Sequence, residues 1–237
     1  MTFKKGFSDG LAIGLGYLSV SFSFGIMAVN NGLTWWQAVL ISITNLTSAG
    51  QVAGVGIMAS GGSPVEMAVT QLVINLRYSL MAISLSQKAD SSMTVAARAA
   101  DSYIITDEIF GLASTQDKVG FRYMTGLGVL PVAGWTLGTL LGAISGNVLP
   151  AFVASSLAIG IYGMFVAIVL PVCRKSKTIS IICIISVMFA VAFRYVPFLY
   201  AHVSSGFAII ICAVISALIG VFITPESELG EEAEDGQ

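Results

Sequence analysis

Charge is what this chain has least of. Asp, Glu, Lys and Arg make up 10% of its 237 residues, against 56% hydrophobic. A soluble domain carries about 25% charged residues, so a globule this poor in charge could not cover its surface in water. The 11 basic residues are scattered singly or in short groups and the formal charge is −2, which leaves no electrostatic footprint for nucleic acid. Histidine occurs once, at His202, and the three cysteines, Cys173, Cys183 and Cys212, have no ligand spacing. A structural zinc site needs four Cys or His ligands, and neither a metal nor another cofactor is expected. The sequence also lacks a G-x-x-x-x-G-K-S/T phosphate loop, H-E-x-x-H, and a Ser/His pair at matching depth in apolar sequence. These absences argue against nucleotide-driven work and against an enzyme.

Long apolar runs are what remains. A bilayer core about 30 Å thick needs roughly 20 apolar residues in a helix, and seven stretches reach that length: 10–29, 36–58, 64–86, 123–146, 150–172, 178–196 and 204–224. Each is far longer than the ~10-residue alternating segments of an outer-membrane barrel. The expectation is an all-α, polytopic integral membrane bundle of about seven transmembrane helices over residues 1–224. A disordered acidic tail follows at 225–237, where Glu226, Glu228, Glu231, Glu232, Glu234 and Asp235 cluster. Lys4 and Lys5 precede the first run, but that run is too long for a signal-peptide core and Ala28-Val29-Asn30 is a poor cleavage site, so it is read as a span.

Basic residues crowd the connection holding Lys88, Arg98, Lys118 and Arg122, and the one holding Arg174, Lys175 and Lys177. Two spans separate these connections, so both face one side, which positive-inside bias makes cytoplasmic. Seven full crossings then put the N-terminus outside and the C-terminus inside, against Lys4 and Lys5; a re-entrant segment within 92–113 would remove the conflict. The first and fourth spans are both glycine-rich, which suits a three-plus-three inverted repeat with one extra helix, and equally suits the general abundance of glycine in membrane helices.

Polar groups inside the spans carry the functional signal. Arg77 falls mid-span, where insertion costs about 2.5–3.5 kcal/mol. Asn75 lines up with Gln71 and Ser79 at four-residue spacing; interhelical hydrogen bonds averaging about 0.6 kcal/mol are the plainer explanation for that row. Residues 44–54 hold Thr44, Asn45, Thr47, Ser48, Gln51, Gly50 and Gly54. A helix break there would expose N–H groups able to hold a carboxylate, whereas an unbroken helix would use the small residues for close packing. Asp101, Asp107 and Glu108 lie in the third connection, where the spacing of Ile104, Ile105, Glu108 and Leu112 predicts a short amphipathic helix. A carboxylate there that borders a dry cavity could exchange protons. Phe22 and Phe24 could line a pocket for an aliphatic side chain.

The stretch from Asp9-Gly10-Leu11 to Phe24-Gly25, then Asn45 to Gln51, Asn75-Leu76-Arg77-Tyr78-Ser79-Leu80, Thr106-Asp107-Glu108-Ile109-Phe110 and Gly146-Asn147-Val148-Leu149-Pro150 resemble the AzlC-type branched-chain amino acid permeases over roughly residues 7–220. Two departures stand out: Ala12 where many members have proline, and Tyr78 where many have histidine. The resemblance implies a multi-pass protein of the bacterial cytoplasmic membrane that exports valine, leucine, isoleucine and related amino acids such as methionine by secondary transport. It also implies a small four-span AzlD-type partner; a homo-oligomer is compatible with it. The expected substrate-binding residues are Asn45, Ser48, Gly50, Gln51, Asn75, Arg77 and Phe24, and the expected proton-coupling pair is Asp107 and Glu108. A passive channel or non-transporting membrane subunit is the alternative.

Overall fold

The computed structural model describes residues 2–146 and 176–223 continuously, with isolated positions between them. Among the described residues the helices are α1 (Phe3–Asn30), α2 (Trp35–Thr44), α3 (Ser48–Ala59), α4 (Pro64–Gln87), α5 (Val95–Ser102), α6 (Asp107–Ser114), α7 (Phe121–Gly146), α8 (Lys177–Tyr195), α9 (Pro197–His202) and α10 (Ser205–Ile223). Five are long and apolar enough to cross a membrane: α1, α4, α7, α8 and α10. Apart from isolated positions, the expected span 150–172 and the tail 225–237 lie outside the described residues.

The frame is the pair α1 and α7, joined along their small residues. A Cβ added at Gly14 would stand 2.8 Å from Leu130 O, and one at Gly25 would run into Thr139 O. The two backbones therefore touch, as small-xxx-small spacing permits. The contacts ascend together, Gly6 with Tyr123, Gly14 with Leu130, Gly25 with Thr139 and Ala143, so α1 and α7 run parallel. The N-terminus consequently shares an end of the bundle with the 88–120 connection. This corrects the expected N-out arrangement and puts Lys4 and Lys5 beside the other basic residues.

The correction arises because 36–58 is not one crossing. It splits into α2 and α3, of 10 and 12 residues, about 15 and 18 Å long and each half a bilayer deep. Ala38 of α2 and Val55 of α3 meet in one core cluster with Phe24, Met27 and Ala143. Deeper in, Leu46 packs with Tyr17 and Trp135. The two arms therefore enter and leave at the same end, and their tip, Asn45 to Thr47, reaches mid-depth.

A second hairpin enters from the opposite end. The single amphipathic helix expected near 104–112 is instead two, α5 and α6, with a turn at Tyr103–Thr106. Its base is clasped where Val119 N–H bonds Lys88 O at 2.8 Å and Asp90 N–H bonds Val119 O at 3.0 Å. Ile104, Ile109 and Ala113 pack on Tyr123, Met124 and Leu127. Between the hairpins, α4 descends from Glu66, which touches the start of α10, to Leu85 in the second hairpin's core. Its outer face shows Leu72, Leu76, Leu80 and Ile83 at 59–68% exposure, a stripe suited to an apolar surrounding. Gly220 meets Ile182, so α8 and α10 are antiparallel and Lys177 returns to the basic end.

Candidate functional site

The two tips meet. Tyr103, in the second turn, donates its hydroxyl to Ile43 O of α2 at 2.6 Å. The break in the first hairpin is held by Gln51, 1% exposed. Its Nε2 donates to Asn45 O and to Ile41 O, and its Oε1 accepts Trp135 Nε1–H at 3.0 Å. One amide thus caps the end of α2, taking up Asn45 O and adding a second donor to Ile41 O, which already accepts Asn45 N–H at 2.9 Å. Thr44 assists by bonding back to Leu40 O at 2.7 Å. The chain then turns through Asn45 and Thr47, both extended, and α3 begins at Ser48 with no side-chain cap. The first N–H groups of α3 accordingly point into the tip region with the positive end of its dipole.

The second tip is charged. Thr106 caps α6, and Asp107 and Glu108 fill its first turn, where carboxylates suit the dipole. Arg77 leaves α4 to pair with Asp107 at 2.7 Å; its guanidinium lies over the Tyr78 ring, with Nη2 donating to Tyr78 OH at 3.3 Å. Tyr17 OH lies 2.5 Å from Glu108 Oε2 and 2.7 Å from Thr106 Oγ1. A phenol has one proton, which the carboxylate takes, so Thr106 supplies its own. These side chains enclose a hollow lined by Leu46, Ser48, Trp135, Tyr17, Glu108 and Asp107 among others, with room of about 10 Å³, the volume of one water. In this conformation it is shut.

The expected residues distribute as follows. Ser48, Asp107 and Glu108 line the hollow, and Arg77 reaches it through Asp107. Asn45 and Gln51 form the break itself. Gly50 O accepts Gln71 Nε2–H at 2.8 Å, and Asn75 Nδ2 donates to Gln71 Oε1 at 3.1 Å, which leaves Asn75 Oδ1 buried and unpartnered. A side chain at Gly50 would come within 2.6 Å of Gln71 Oε1. Phe24 is the misplacement: it is fully buried in the cluster with Met27, Ala38 and Val55, above the tips and away from the hollow. Its position on α1 faces α3 and α7, where core packing consumes it.

Tyr17, Thr106 and Trp135 are not among the residues that the sequence assigns to the site. Trp135 carried a usable signal, since an indole N–H in mid-span needs a buried acceptor. Glu66 belongs to a different place, a cavity of about 1050 Å³ beside the outer ends of α8 and α10, which Arg194 also lines. There it accepts Ser204 Oγ–H at 2.5 Å and Gly206 N–H at 2.8 Å. Outside the five crossing helices, burial pushes the Asp101 carboxyl up to about 6.

The known proteins that this chain resembles are membrane proteins. The chain is 24% identical to the Inner membrane protein YgaZ of Escherichia coli over 230 residues, covering 93% of this chain and 91% of that one. It is 26% identical over 171 residues to an uncharacterized membrane protein of Archaeoglobus fulgidus, covering 71% of this chain and 75% of the relative. A further uncharacterized membrane protein, from Helicobacter pylori, is 24% identical over 149 residues, 61% of this chain and 64% of the relative. No solved structure matches. The family model described as AzlC protein matches residues 12–149, which takes in both hairpins and the whole tip junction, and the chain belongs to the AzlC family of membrane proteins.

Proposed function

We propose that this chain is a secondary transporter that exports small apolar amino acids, valine, leucine, isoleucine and methionine, across the bacterial cytoplasmic membrane. The observation that carries this reading is the meeting of the hairpin tips, where a guanidinium, two carboxylates and an uncapped helix N-terminus surround a closed hollow. A zwitterion with an aliphatic side chain needs that set of partners. Its carboxylate would displace Asp107 from Arg77 or take the N–H groups of Ser48 and its neighbours. Its ammonium would meet Glu108 or the freed Asp107, and its side chain would lie against Leu46 and Trp135. The charges satisfy one another while the site is empty, so cargo replaces an internal pair and need not meet a bare charge.

In this reading α1 with the first hairpin and α4 with the second form an inverted two-part repeat, in place of a three-plus-three repeat. Transport then consists of one hairpin yielding at a time, driven by the proton gradient and assisted by an AzlD-type four-span subunit. A hollow the size of one water favours a gated carrier over a permanently open channel.

The test is leucine counterflow in proteoliposomes holding the purified chain, with and without the partner subunit. Saturable counterflow that falls at least about tenfold in Arg77→Ala and Asp107→Asn supports the assignment. Linear, non-saturable flux favours a channel, and unchanged flux in both variants overturns the site.

A further inference from the structure

Asp101 is a buried carboxylate that the tip junction does not use. It sits on α5 at 4% exposure, and its Oδ2 has no partner. Its Oδ1 is 3.4 Å from Thr125 Oγ1, but that hydroxyl lies closer to Phe121 O, at 2.9 Å, and gives its proton there. The charged and titratable groups around it are engaged elsewhere or turned to solvent. Arg98, on the same helix, bonds Met93 O at 3.0 Å and is exposed. Lys88, at the end of α4, bonds Ser114 O at 2.6 Å. Tyr123 of α7 bonds Asp9, Tyr103 bonds Ile43 O, and Arg122 and Lys118 are exposed. On α6, Asp107 pairs with Arg77 and Glu108 with Tyr17.

Asp101 also stands between two cavities. One, of about 70 Å³, is bordered by Ser86, Ala89 and Arg98 at the hairpin base. The other, of about 640 Å³, runs between the hairpin and α7 along Ile104, Thr125, Val132 and Leu137. The seam of the hairpin with α7 is tight, since a Cβ at Gly128 would press on Ile104 at 2.6 Å. An ionised carboxylate with no cation and no full hydrogen bond cannot stay in such a place. A neutral acid can stay, donating its O–H to Thr125 Oγ1, whose own proton is on Phe121 O. An ionised one must draw water from the small cavity, which has the volume for it, and that widens the seam.

We propose that Asp101 is a proton-binding site that holds the second hairpin against α7 while the proton is bound and frees the hairpin when it leaves. The inference does not depend on which solute is carried, so it stands or falls separately from the cargo. It is tested by hydrogen exchange of the purified full chain across pH, corrected for intrinsic exchange rates. Protection over residues 95–114 is expected to fall at least about fivefold in one single-proton step between about pH 5 and pH 7, while residues 35–59 show no step. Asp101→Asn mimics the protonated acid and is expected to keep full protection throughout. A wild-type chain without the step, or an Asn variant that retains it, overturns the proposal. Should the Asn variant not fold, infrared titration of the wild-type chain and Asp101→Glu decides. A protonated-carboxyl band that vanishes over this range and moves in pH with Glu supports the site, and a missing or unmoved band overturns it.

Discussion

The two hairpins reach the same depth from opposite ends and are held there by opposite chemistry. The first is fastened by neutral groups: Gln51 spans Ile41 O, Asn45 O and Trp135, and Gln71 ties Gly50 to Asn75. The second is fastened by charge, through Arg77 with Asp107 and Tyr17 with Glu108, and carries Asp101 in its seam. Neutral amide bonds keep the same strength over the physiological pH range and have nothing to exchange with a zwitterion. Ion pairs and buried acids can do both. Of the two gates in the proposed carrier, the first is therefore the one indifferent to pH and the second the one that responds to it.

That contrast can be broken in four ways, beginning with the largest effect. Asp101 has its folded-state carboxyl raised from 3.8 to about 6, so the stability it contributes is complete below about pH 4 and is lost as pH climbs through about 6. The loss is bounded by about 3 kcal/mol. Thermal unfolding in detergent should show the wild-type chain falling relative to Asp101→Asn over that window; parallel curves would remove the pH-sensitive half of the contrast. Gln51→Leu strips partners from a buried indole N–H and from Asn45 O at the break, and should cost about 2 kcal/mol in the same assay at every pH. A pH-dependent loss would mean the first hairpin is not the neutral one.

Arg77→Ala should act the other way. Its side chain and that of Asp107 are 42% and 35% exposed, so the pair contributes within about 1 kcal/mol of stability. Leucine flux should nevertheless drop at least about tenfold, and a variant that unfolds with flux retained would exchange the roles assigned to the hairpins. Tyr103→Phe, which removes the one hydroxyl joining the tips, should cost about 1 kcal/mol. Its signature is faster exchange at Tyr103–Thr106 with the first tip unchanged.

Much of this could be seen in the sequence, and the reason for each miss is physical. Five polar side chains in residues 44–54 are too many for a lipid-facing helix, which left two readings, a break or a closely packed unbroken helix, and the structure has the break at Asn45–Thr47. That the break reverses the chain was not legible, because two half-depth helices and their turn together match the length of one crossing. The N-out expectation followed from that single miscount. Thr106-Asp107-Glu108 is a helix start by capping and charge, yet the spacing of Ile104, Ile105 and Leu112 masked it. Arg77 and Asp107 were both anticipated, but their pairing joins segments thirty residues apart and only the fold shows it. Phe24 looked like a pocket residue because an aromatic ring has the same appearance in sequence whether it faces cargo or core.

The glycine seam between α1 and α7 carries a consequence for how the chain is made. Each seam glycine of α1 touches its partner on α7, backbone on backbone, only after more than a hundred further residues have been synthesised. Until then the smooth face of α1 is without α7, and both hairpins must enter beside a frame that is half built. Biogenesis of this protein is therefore a matter of waiting: Arg77 and Asp107, or Tyr17 and Glu108, can meet before Phe121 is made, but a chain cut short at that point leaves α1 without the surface it was shaped to meet.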